Sequence, residues 1–255
     1  MRLKKIGAFV CFMLSSLALI PIASAGLILD AGAKGVYESN ITLSPSDVNK
    51  KGDYYSLLTG ALGGYTEIQK DVYLFVRGDG AGYIFSKLSD LNSVIGGISP
   101  GIYAKWGDQF SIQAKLNGRI KNFKDSQRNS RSWGGTLELK QQIFPQLALK
   151  EGYEYEDNKA DSSLFTYRGH AFGIWSEYKV IPKTMINGGY NYTTRKFDDS
   201  LSSNFNYHTF SVGVTQELVK KVYLNAGYGF QLINTNVANT SNNNHIVSVG
   251  VSYSF

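Results

Sequence analysis

Side chains in "FSIQAKLNGRI" (Phe110 to Ile120) change character at nearly every step. Phe110, Ile112, Ala114, Leu116 and Ile120 are apolar or small, whereas Ser111, Gln113, Lys115, Asn117 and Arg119 are polar. A period of two is the signature of a strand with one apolar and one polar face. "VYLNAGYGFQLIN" repeats it, with Val222, Leu224, Ala226, Tyr228, Phe230 and Leu232 set against Tyr223, Asn225, Gly227, Gly229 and Gln231. Few windows show a helical period, and no segment beyond residue 25 reaches the roughly 18 apolar residues of a membrane-spanning helix.

The turns add a second, longer repeat. Short connections fall at "EIQKD", "GDQ", "FPQ", "IPKT" and "VKK", spaced by about 38 residues, with polar loops such as "KDSQRNSR" and "TNVANTSNNN" between them. Strands are therefore expected at 27–40, 53–66, 72–85, 92–105, 110–123, 132–143, 147–157, 167–180, 185–197, 206–218, 222–234 and 245–255. A helical solenoid has a similar period, but the alternation excludes it. A soluble β-sandwich is excluded by strand length: these strands are about twice the usual globular length and fit the roughly 9 to 11 tilted residues that cross a bilayer. Strict alternation of short turns with longer loops points the same way. The expected fold is all-β, a transmembrane antiparallel up-and-down β-barrel of about 12 strands, filling residues 26–255.

Composition agrees. Charged residues make up 18%, below the roughly 25% of a soluble domain, while Tyr (17) and Phe (14) are abundant. Residues 1–25 carry the marks of a cleaved secretory signal: basic Arg2, Lys4 and Lys5, an apolar run, and Ala23-Ser24-Ala25 as the cleavage site. The single cysteine, Cys11, falls inside that segment, which leaves no thiol for a disulfide or a Cys-based metal site. Removing the three basic signal residues takes the formal charge from +6 to +3, too mild to argue for nucleic acid.

The chain ends in "IVSVGVSYSF". If Val251, Tyr253 and Phe255 face outward, the last strand pairs with the first and closes the sheet, so that every backbone donor and acceptor finds a partner without water. This resembles the terminal-Phe signature of bacterial outer-membrane β-barrels. The resemblance implies reading of those three residues by the barrel-assembly machinery, both termini in the periplasm, and outer-membrane lipid and lipopolysaccharide as surroundings.

Outward sets such as Val72, Leu74 and Val76 hold almost no charge, as a lipid face requires. The charge falls on the inward sets: Lys34, Arg77, Lys105, Lys115, Arg119, Lys121, Lys140, Lys150, Lys179 and Arg195, with Asp30, Glu38, Asp79, Glu138, Glu154, Glu156, Glu177 and Glu217. Parity is ambiguous in "SLLTGALGG". Pore-lining candidates are Arg77, Asp79, Lys105, Lys115, Arg119, Lys121, Glu138, Lys140, Glu154, Glu156, Glu177 and Arg195. Lys105, Lys115, Arg119, Lys121 and Lys140 would form a basic wall and Glu154 with Glu156 an acidic one, while inward glycines such as Gly101, Gly152, Gly173 and Gly189 would leave room for solute. Two readings follow: a passive channel for small polar or anionic solutes, or a lumen stapled by salt bridges in a non-conducting structural or assembly component that works with periplasmic or secretion-system proteins.

A search for catalytic chemistry finds none. His208 and Ser211 differ in parity and point to opposite faces, and "NSRSWGG" lacks the His-x-Ser-Asn-Gly run of the serine phospholipase barrels. No cofactor or metal is expected. "GVYESNITLSPSD" (Gly35 to Asp47) is similar to the opening strand and loop, Tyr-x-Ser-Asn-Ile, of β-barrel porins linked to exopolysaccharide export and of the barrel part of surface lipoprotein assembly modifiers, which implies a place near polysaccharide or protein export.

Overall fold

The computed structural model describes residues 25–41, 51–199, 204–235 and 241–255. Twelve strands follow one another: β1 (Ala25–Glu38), β2 (Asp53–Gln69), β3 (Val72–Phe85), β4 (Ser93–Trp106), β5 (Phe110–Phe123), β6 (Ser130–Phe144), β7 (Leu147–Ala160), β8 (Tyr167–Ile181), β9 (Thr184–Phe197), β10 (Phe205–Val219), β11 (Val222–Thr235) and β12 (Ser241–Ser254). Each pairs antiparallel with its sequence neighbours, and β1 pairs with β12, giving a closed up-and-down barrel. Apart from Ala25, which opens β1, the expected signal segment lies outside the described residues, as do parts of three loops.

Tight turns gather at one end of the barrel and longer loops at the other. At the turn end, register shifts at Glu67/Gln69, Gln142/Phe144, Lys179/Ile181 and Glu217/Val219 mark β-bulges where four strands meet their turns. The fifth turn is made by Gly107 at φ +60, a conformation that costs glycine nothing. At the loop end, three loops fold into single 3-10 turns, Ser89–Leu91, Ser126–Arg128 and Ser163–Phe165.

The radial order of side chains is inverted relative to a water-soluble protein. On β5, Leu116 is 68% and Ile120 53% exposed, whereas Asn117 between them is 6% exposed. Apolar side chains cover the outside and polar ones the inside, an arrangement that requires hydrocarbon around the barrel. Glu151 departs from it: its carboxylate faces outward between Leu139 and Ile174, and it forms no ion pair among the described residues.

The seam between β1 and β12 runs from Asp30↔Ser254 to Glu38↔Ile246. At its loop end, fully buried Asn244 accepts from the Asn40 amide (2.9 Å) and donates to Glu38 (3.2 Å). The Ser39 and Asn40 of the "YESNI" stretch thus fasten the seam. At its turn end the Phe255 amide donates to the Leu29 carbonyl (2.9 Å), and Lys221 Nζ sits 3.2 Å from the centre of the Phe255 ring. The terminal residue is held by backbone and ring together.

Several strand ends differ from expectation by one to four residues, β1, β6 and β7 among them, and two of the shifts are informative. β2 continues to Gln69 because the bulge carries pairing past Thr66. β12 starts at Ser241 rather than 245: Asn242 and Asn244 face the interior, so the Asn run that reads as loop is a strand with polar inward positions. Register also resolves the ambiguous stretch of β2, placing Leu57, Thr59, Ala61 and Gly63 inside and Leu58, Gly60 and Leu62 outside.

Candidate functional site in the barrel interior

All twelve lumen candidates share the inward face, because each is opposite another inward residue in the ladder: Arg77 and Asp79 on β3, Lys105 on β4, Lys115, Arg119 and Lys121 on β5, Glu138 and Lys140 on β6, Glu154 and Glu156 on β7, Glu177 on β8 and Arg195 on β9. Their pairing differs from two facing walls. Arg119 meets Glu154 at 3.2 Å and Lys121 meets Glu156 at 2.7 Å, so the basic and acidic rows neutralise each other along the wall. Glu177 takes both Lys140 (3.3 Å) and Lys150 (2.7 Å), Arg77 reaches Asp30 (3.1 Å), and Lys105 turns to Asp71 at the rim (3.7 Å). Asp79, Lys115, Glu138 and Arg195 form no ion pair among the described residues.

Four of these contacts span two strands, a separation of about 10 Å. They are possible because the strand crossed presents small residues. Ser132 and Gly134 on β6 lie beneath the Arg119–Glu154 and Lys121–Glu156 pairs, Ala148 on β7 beneath Lys140–Glu177, and Ala61 and Gly63 on β2 beneath Arg77–Asp30. Small inward residues therefore serve partly as clearance for long side chains. Four of the glycines expected to leave space for solute are filled in the same way: the Trp175 ring covers Gly152, Gly173 and Gly189, and the Phe75 ring covers Gly101, whereas Gly169 lines open space. A Cβ at any of the four would press on the ring above.

Two open chambers stand out among the described residues. One, of about 500 Å³, lies at mid-barrel against Asp79, Arg119, Glu154, Asn191 and Thr193; the other, of about 490 Å³, lies toward the loops against Phe123, Arg128, Phe165, Phe197 and Phe205. Ile95, Lys121, Tyr167 and Arg195 line both and so form the waist between them. Tyr167 donates its hydroxyl proton to Glu156 (2.7 Å), which also takes Lys121. The Arg195 guanidinium carbon lies 4.9 Å from the Tyr167 ring centre and 5.8 Å from that of Tyr207. Stacked between rings, Arg195 keeps its charge toward the passage. Two cations against one carboxylate give the waist a net positive charge.

The three histidines all face outward. His208 and Ser211 point to opposite faces of β10, and no group of three metal-ligating side chains occurs among the described residues. Each histidine instead meets a tyrosine hydroxyl on the preceding strand: His170 Nδ1 with Tyr153 (2.7 Å), His208 with Tyr190 (2.9 Å) and His245 with Tyr228 (2.8 Å). The histidines are 38 and 37 residues apart, the hairpin repeat itself. That spacing was readable from the sequence, and it marks an outer girdle rather than a catalytic centre.

No protein-family model matches the sequence, and no curated protein sequence matches it. Solved structures do match in fold. An outer membrane channel from Pseudomonas putida F1 superposes with a TM-score of 0.64 at 12% identity, covering 93% of this chain and all of that one. The NanC porin gives 0.56 at 12% identity (88% and 98% covered), and the KdgM porin in complex with disordered oligogalacturonate gives 0.55 at 13% identity (89% and 99%). The fold is that of bacterial outer-membrane channels.

Proposed function

We propose that the protein is a narrow passive channel of the bacterial outer membrane for small polar or anionic solutes. The observation that carries this reading is the cationic waist, where Lys121 and Arg195 outnumber Glu156 between two chambers. Charged linings at a constriction select by replacing part of a solute's hydration and by repelling like charge. An acidic oligosaccharide bound to the KdgM porin, a neighbour in fold, supports the same class of solute. In this reading the loops face outward and both termini the periplasm, lipopolysaccharide surrounds the outer half, and Val251, Tyr253 and Phe255 form the signal read by the barrel-assembly machinery.

Planar-bilayer recording tests it. Discrete openings with a reversal potential favouring chloride are expected, and oligogalacturonate added on one side should interrupt them. Purified folded protein that gives no openings contradicts the channel. A second reading has one observation in its favour: the Arg119–Glu154, Lys121–Glu156 and Lys140–Glu177 pairs brace the wall as a structural scaffold for export partners would. Silence in the bilayer together with high unfolding resistance would favour it.

A further inference from the structure

Four cations stand outside the barrel at the loop end, all on consecutive strands. Arg131 on β6 is the direct ladder partner of Lys159 on β7, and Arg168 on β8 is the direct partner of Lys196 on β9; Lys159 and Arg168 are diagonal neighbours across β7 and β8. All four are exposed, all lie on the outward face, and none forms an ion pair among the described residues. Asp157 is the single carboxylate within the strands of the arc, and Asp161 and Asp198 stand exposed just past the ends of β7 and β9, so the four cations outnumber the neighbouring carboxylates by one. Elsewhere Tyr54, Ile84, Val94, Asn122, Asn206 and Asn234 hold the outward places near the loop ends of their strands, and Lys124, just past β5, is taken by Asp90 (3.6 Å).

Depth supplies a second observation. Directly beneath the arc, toward mid-barrel, lies an aromatic shelf: Trp133 packs edge-on against Tyr155 (5.7 Å between centres), and Tyr155 against His170 (5.2 Å). His170 is two residues from Arg168, about 5 Å along the axis of a tilted strand. Aromatic belts mark the level where acyl chains give way to headgroups. Cations just beyond that belt stand at headgroup height, where unpaired lysines and arginines face phosphate rather than hydrocarbon.

We propose that Arg131, Lys159, Arg168 and Lys196, above the Trp133–Tyr155–His170 shelf, bind the phosphorylated headgroup of an outer-leaflet glycolipid. The proposal rests on the membrane orientation given above but not on conduction. Two arginines able to grip phosphate oxygens in pairs and two flexible lysines suit a headgroup with more than one phosphate. Confinement to four of twelve strands makes this one site on one side of the barrel rather than a uniform basic collar.

The test uses the full mature chain folded in zwitterionic detergent, with bound lipid counted by native mass spectrometry. Purified lipopolysaccharide, its dephosphorylated form and inorganic phosphate serve as probes. The wild-type protein should retain lipopolysaccharide, and the dephosphorylated form should be lost at the same concentration. Arg168→Gln with Lys196→Gln should weaken retention roughly 30-fold, while Lys70→Gln, a charge removed at the turn end, should leave it unchanged. Arg168→Gln alone provides a milder variant if the double one folds poorly. Equal retention by wild type and the Arg168 variants, equal retention of the dephosphorylated lipid, or displacement by millimolar inorganic phosphate would overturn the proposal. Because binding is read without current, a silent bilayer recording and a failed lipid assay remain separate results.

Discussion

The two halves of the barrel interior satisfy their polar side chains in different ways. From β5 to β8 the contacts are ionic and long, and most vault over an intervening strand: Arg119 to Glu154, Lys121 to Glu156, Lys140 to Glu177. From β10 through β12 to β1 they are hydrogen bonds of amides and hydroxyls, reaching a carboxylate only on β1, and each stops at the next strand. Thr215 donates to Asn225 (3.1 Å) and Asn225 to Ser252 (2.9 Å); Gln231 donates to Thr209 (3.1 Å), and Asn244 donates to Gln231 (3.4 Å) and on to Glu38. Side-chain length explains the difference. Amides and hydroxyls span the roughly 5 Å between neighbouring strands, whereas Lys or Arg with Glu covers two such steps if the middle strand is bare. The charged half braces the wall and places the waist; the neutral half closes the seam.

Substitutions can break this contrast, and the largest effect belongs to the clearance beneath an ionic bridge. In Gly134→Val the new side chain would meet the Tyr155 carbonyl and the space under Arg119 and Glu154, with a loss of about 3 kcal/mol expected. Urea unfolding in lipid vesicles measures it; an unchanged midpoint would mean the crossing does not depend on a small residue. Glu156→Gln comes next. It leaves Lys121 without its partner in a half-solvated interior, for a loss of about 2 kcal/mol, and raises the waist by one positive charge. Chloride preference in a salt gradient should rise severalfold, whereas an unmoved reversal potential would separate Glu156 from the conduction path.

The neutral half should respond more gently. Asn225→Ala removes a link between Thr215 and Ser252 and should cost about 1 kcal/mol with ion selectivity intact; a selectivity change would erase the distinction between the halves. Smallest is Glu151→Leu on the lipid face, where removing a carboxylate should stabilise by about 0.5 kcal/mol. A loss of stability there would show that Glu151 has a partner in the assembled membrane.

Legibility in the sequence followed the same physical division. Strand number, order and parity were readable because alternation is a one-residue property, and charge sorted Arg77, Glu154 or Arg195 to the inside without knowledge of any neighbour. The ambiguous face of β2 needed the Glu38↔Asp53 register, since "SLLTGALGG" has no polar side to declare itself. Neutralisation of the two charged rows was hidden for another reason: it depends on Ser132 and Gly134 being small on a strand that belongs to neither row. Trp175 over three glycines is likewise a relation among β7, β8 and β9 that no single strand reveals. The histidine repeat, by contrast, was open to view in its spacing.

The central claim, a closed cylinder whose odd and even side chains part into lipid and a conducting interior, is tested most directly on β8. The only cysteine lies in the first 25 residues, so an introduced thiol there would be unique in the remainder of the chain. Ala171 lines the mid-barrel chamber and its neighbour Phe172 faces outward, 48% exposed. A charged, membrane-impermeant thiosulfonate reagent should cut the single-channel current of Ala171→Cys and leave that of Phe172→Cys unchanged. Equal modification of both, or block through Phe172→Cys alone, would contradict the account.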